Sequence, residues 1–104
     1  MVILRDKTID LASITDDEKI IRNITGSTLS FQIDGDATLS VNGSHSNFES
    51  ENDYALAIVN MTTLDKSPSV TGPGIFMVIV TGIDEVTLSI SGSTGVIHWK
   101  ELGD

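Results

Sequence analysis

Apolar residues return at every second position in one segment of this chain after another, and most of these runs stop at a glycine. Thr28–Asp34 reads Thr-Leu-Ser-Phe-Gln-Ile-Asp, with Leu29, Phe31 and Ile33 on one face and polar residues on the other. That period of two belongs to a half-buried strand, because successive side chains of a pleated backbone point to opposite faces. The pattern resumes after Asp34-Gly35-Asp36 with Leu39 and Val41 inward, which predicts a hairpin across Gly35. Val86, Leu88 and Ile90 alternate in the same way, and Ser91–Gly95 then predicts a second hairpin into a strand over Val96–Leu102. Ala55–Thr62 and Ile75–Val80 are apolar on consecutive residues and read as strands covered on both sides. Ile, Val and Thr fill 32 of the 104 positions, and such stiff β-branched side chains favour strands over helices.

The first 26 residues carry two signals. Thr8-Ile9-Asp10-Leu11 alternates like a strand, whereas Thr15-Asp16-Asp17-Glu18 has the form of a helix capping box. Only Lys19–Asn23 would continue such a helix, and Ile20-Ile21 are β-branched, so a polar turn and a strand over Lys19–Ile24 are expected. The count is seven or eight short strands in one domain spanning 1–104, an all-β, antiparallel, jelly-roll-like sandwich. Two longer connections stand out: the polar stretch Asn42–Asp53, expected to be strand-free, and Thr63–Gly74, which holds both prolines.

Fifteen acidic against six basic side chains give a formal charge of −9, which opposes nucleic acid as a partner. Cysteine is absent, so disulfides, thiol catalysis and thiolate zinc sites are excluded. The longest apolar run, Ile75–Val80, is far short of the roughly 20 residues of a membrane-spanning helix. No secretory leader is recognisable, and the three Asn-x-Ser/Thr triplets are therefore read as chance matches.

No constellation of catalytic residues is recognisable in the sequence. Asp16-Asp17-Glu18, Asp34 with Asp36, and Glu49, Glu51 and Asp53 are carboxylate clusters, but none has the spacing of a calcium loop, and they read as solvated turns. Nothing selects a carboxylate pair suited to glycoside hydrolysis. His45 lies in a Gly-Ser-His-Ser-Asn loop with no partner to orient it, and His98 alternates with Ile97 and Trp99 on the last strand, as an outward or interface residue. No catalytic residue, metal ligand or cofactor site is assigned. Phe48, Tyr54 and Trp99 remain as aromatics not tied to a core strand and are the candidate interface or ligand contacts, with Trp99 as a core residue the competing reading.

Gly43-Ser44-His45-Ser46-Asn47-Phe48-Glu49, Val70–Phe76, Val80–Leu88 and Gly92–Val96 together resemble a pattern of small β-sandwich proteins from tailed bacteriophages and prophages. In that pattern a Gly-Ser…Asn-Phe loop precedes a Gly-Ile-Tyr/Phe strand start, a Val-x-Gly turn and a closing Ser-x-x-x-Gly-x-Val hairpin. The resemblance spans about residues 27–104 and rests on turn glycines and strand residues. It implies a non-enzymatic virion component, such as a head decoration, head fibre or tail accessory protein, present in the host cytoplasm before assembly. Its partners would be further copies of itself, a trimer being favoured, and other virion proteins. The alternative is a module that recognises cell-surface glycan through the 42–53 loop, Tyr54 and Trp99.

Overall fold

The computed structural model describes residues 2–13, 18–45, 54–92 and 94–103. Eleven strands are seen among them: β1 (Val2–Asp10), β2 (Glu18–Ile21), β3 (Thr28–Gly35), β4 (Thr38–Ser44), β5 (Tyr54–Ala55), β6 (Ile58–Asn60), β7 (Lys66–Ser67), β8 (Ser69–Thr71), β9 (Gly74–Ile79), β10 (Glu85–Ser91) and β11 (Gly95–Gly103). One sheet runs β1-β11-β3-β9-β6-β7, and the other runs β2-β10-β4-β5, with β8 also paired to β4. The described pairings are antiparallel.

The pairing is nested. β1 takes β11, β2 takes β10, β3 takes β9 and β4 takes β8, so the chain folds back on itself as one long hairpin rolled into two layers. This is a jelly roll of eight strands, with β5, β6 and β7 inserted at its closed end. Rolling follows from burying one face of every alternating strand. Leu29, Phe31 and Ile33 of β3, Leu39 and Val41 of β4, Leu88 of β10 and Ile97 of β11 are fully buried between the sheets. Each such side chain contributes about 1.5–3 kcal/mol by leaving water.

Both expected hairpins are corners instead. β3 and β4 belong to different sheets, as do β10 and β11, so the chain crosses the sandwich between β3 and β4 and again between β10 and β11. A hairpin and a corner demand the same inward parity on either side of the bend, and alternation alone cannot separate them. The two corners interlock: Gly35 (φ 136°) pairs with Gly95 (φ 101°), and a Cβ on Gly95 would lie 1.9 Å from the Asp34 carbonyl oxygen.

Other boundaries move less. The strand expected at Lys19–Ile24 is β2, and the one begun at Thr8 extends back to Val2. Thr15–Asp17 of the capping-box motif lie outside the described residues. Asn42–Ser44 continue β4 rather than opening a loop. Ala55–Thr62 is not one strand: it breaks after β5, where the Leu56 N–H donates to the Val41 carbonyl, and the chain changes sheets before β6. β9 is not covered on both sides either. Phe76 and Val78 are buried, but Ile75 and Ile79 face out and are exposed.

Candidate functional site

The outer face of the six-stranded sheet is divided in two. Register places Met77 of β9 beside Ser30 of β3 on one side and Val59 of β6 on the other, all pointing away from the core. Ile75 and Ile79 flank Met77 on the same strand, and Met61 follows β6, its N–H donating to the Ile75 carbonyl. Ile79 is 71% exposed, Ile75 48% and Met61 41%. Neither β6 nor β9 carries a charged residue, so these side chains form an uncharged apolar stripe on a strongly acidic protein. Contiguous apolar surface of this kind marks a contact region more often than scattered exposed residues do.

The middle of the β1–β11 half of the same face is polar, between Ile3 and Leu102 towards one end and Val96 towards the other. Asp6 stands opposite Lys100, and Thr8 opposite His98. Thr8 Oγ1 and His98 Nδ1 share a hydrogen bond of 3.0 Å, His98 Nε2 lies 3.5 Å from Asp34 Oδ2, and Gln32 Nε2 donates to Asp34 Oδ1 at 3.1 Å. His98 therefore points outward, as its alternation implies. These groups lie on an open sheet surface and enclose no substrate. His45 is exposed just beyond β4. Asp36 accepts from Thr94 Oγ1 at 3.3 Å, and among the described residues no three His, Asp or Glu groups gather in an arrangement that could hold a metal.

The three candidate aromatics are not brought together. Trp99 is only 4% exposed and lies in the core, so its ring offers no exposed aromatic platform. Tyr54 is 69% exposed on β5, at the margin of the second sheet. Phe48 lies outside the described residues. Next to Tyr54 in the chain, Ala55, Leu56 and Ala57 line a shallow depression of about 240 Å³ with Lys66, Ser67 and Pro68.

A buried ion pair escaped the sequence reading. Glu101, 1% exposed, faces the core beside Trp99. Its Oε1 accepts from Arg5 Nε, and its Oε2 accepts from the backbone N–H groups of Thr25 at 2.9 Å and Gly26 at 2.8 Å. Burial pushes the carboxyl up, but the bonds from Arg5, Thr25 and Gly26 and the Arg5 charge outweigh it and hold Glu101 below the ordinary value. The Arg5 guanidinium carbon also sits 5.7 Å from the centre of the Trp99 ring, a cation–π contact. The signal was the alternation Ile97, Trp99, Glu101, which puts a carboxylate on a core-facing position.

No family model and no curated protein matches this sequence. In three dimensions the chain is similar to the crystal structure of the SPBc2 prophage-derived protein YomS, with a TM-score of 0.64 over 92% of each chain. At 13% identity the likeness is one of fold.

Proposed function

We propose that this protein is a non-enzymatic structural or accessory component of a phage or prophage particle, acting by self-association and by docking on a larger assembly. The observation that carries this reading is the uncharged stripe of Ile75, Met77 and Ile79 flanked by Val59 and Met61, on a sheet whose β1–β11 half carries charged and polar residues across its middle. The likeness in fold to a prophage-derived protein supports the same setting. A trimer is the assembly favoured, formed in the host cytoplasm and carried into the virion. Glycan recognition is the weaker reading, since Trp99 is buried and of its proposed contacts only Tyr54 is seen at the surface.

Light scattering tests the proposal. The wild-type chain should elute as an oligomer, and Ile79→Lys, at a position with its side chain in solvent, should weaken association by about 10-fold or more while leaving the β-sheet circular dichroism intact. A wild-type protein that stays monomeric at high concentration defeats the proposal, as does an Ile79→Lys variant with unchanged oligomer mass.

A further inference from the structure

The flank of the sandwich where β1 and β2 lie carries three basic residues, Arg5, Lys7 and Lys19, beside the acidic Asp6, Asp10 and Glu18. β1 is the edge of one sheet and β2 the edge of the other. The short corners from β3 to β4 and from β10 to β11 stack those strands on each other, and the parallel strand orders then set β1 above β2. Lys7 stands opposite Trp99 and so shares its inward face, while Lys19 stands opposite Leu88 and shares that one. Trp99 is four residues beyond Gly95 and Leu88 three before Ser91, at the two sides of one corner, so register sets the two lysines at nearly the same height on the rim of the gap, where both are exposed. Facing sheets are roughly 10 Å apart, within reach of two lysine side chains. Neither ammonium group has a carboxylate partner among the described residues.

Inward lysines on edge strands have an ordinary use, since they block pairing with another sheet. That use leaves two other groups unexplained. Trp99 Nε1 and Arg5 Nη2 are buried donors with no acceptor, and they sit beside Lys7 on the same inner face. Glu101 engages only the Nε of Arg5 and leaves the second donor of the guanidinium unmatched. Two ammonium groups and two orphaned N–H donors call for the same complement, a compact acceptor carrying negative charge.

We infer that the β1–β2 flank binds a small oxyanion, bearing a phosphate, sulfate or carboxylate group, between Lys7 and Lys19 and against the N–H groups of Trp99 and Arg5. The overall charge of −9 does not forbid this. Repulsion from carboxylates beyond roughly 8–10 Å is screened in ordinary salt, and the near carboxylate, Glu101, is already engaged by Arg5 and by the N–H groups of Thr25 and Gly26. The same field keeps large polyanions away, so the site selects for small ones. This inference rests on groups apart from the apolar stripe and stands independently of the proposed assembly role.

Trp99 is the single tryptophan, so its indole N–H gives one unambiguous signal in a ¹H–¹⁵N spectrum. The probe is inorganic phosphate, titrated against sodium chloride of equal ionic strength. The indole signal should move saturably with phosphate, with a dissociation constant in roughly the millimolar range, and should not move with chloride. Lys7→Gln and Lys19→Gln, both at exposed positions, should each weaken binding about 5-fold or more and together abolish it, with the fold intact by circular dichroism. The inference is overturned by an indole signal that does not respond up to about 50 mM phosphate, by an equal response to chloride, or by a double variant that binds as the wild type does.

Discussion

Glu101→Gln isolates the charge of the buried carboxylate at nearly constant shape. Glu101 accepts three hydrogen bonds, from Arg5 Nε and from the N–H groups of Thr25 and Gly26. Bonds to a charged acceptor contribute about 1 kcal/mol more than bonds to a neutral one, so the two backbone bonds weaken by roughly 2 kcal/mol together. Where Oε1 stood, the amide NH₂ would meet the Arg5 guanidinium donor to donor. That cost is set at about 1 kcal/mol, because the Arg5 side chain is 31% exposed and water takes up part of its charge. A total near 3 kcal/mol corresponds to a fall in Tm of roughly 12–24 °C for a domain of this size. The assay is thermal unfolding followed by circular dichroism at pH 7 and at one protein concentration, since association would otherwise shift Tm. A pH series adds a second constraint. The folded carboxyl is held below its ordinary value of 4.5, so the stability it contributes is complete above pH 4.5 and is lost as pH falls through the lower folded value. The gap between wild type and variant should therefore close under acid. A Tm loss below about 4 °C at pH 7, or a gap that widens on acidification, would refute the assignment of Glu101 as the ionised clamp on β1 and on the backbone of Thr25 and Gly26.

Two glycines offer a matched comparison. Gly95→Ala sets a Cβ against the Asp34 carbonyl oxygen at a positive φ, whereas Gly82→Ala at φ 82° meets open space. Urea unfolding should show about 1 kcal/mol lost at Gly82 and at least about 3 kcal/mol at Gly95, and equal losses would mean that the corner does not need its close approach. Self-association through an uncharged stripe must overcome the mutual repulsion of chains of charge −9, so the oligomer should be tighter in about 0.5 M salt than in about 0.02 M. Dissociation on adding salt, seen by sedimentation, would point to ion pairs in place of apolar contact.

Alternation along single segments determined which residues of β3, β4, β10 and β11 face the core, because the pleat has a period of two and needs no knowledge of any partner strand. It determined the all-β class and the outward direction of His98 for the same reason. Pairing was another matter. β3 and β4 could be joined as a hairpin or bent across the sandwich with identical inward residues, and only the fold chose the corner. The continuous apolar run at Ile75–Val80 said that both faces of the strand are apolar, but that one face is open to solvent depends on what lies above it. Glu101 was legible as an inward residue, yet its partners Arg5 and Thr25 are 96 and 76 positions away in the chain. Lys7 and Lys19 are ordinary edge residues until two sheets are stacked. A local pattern sets the direction of each side chain, and only the long-range closure of the roll sets what it meets there.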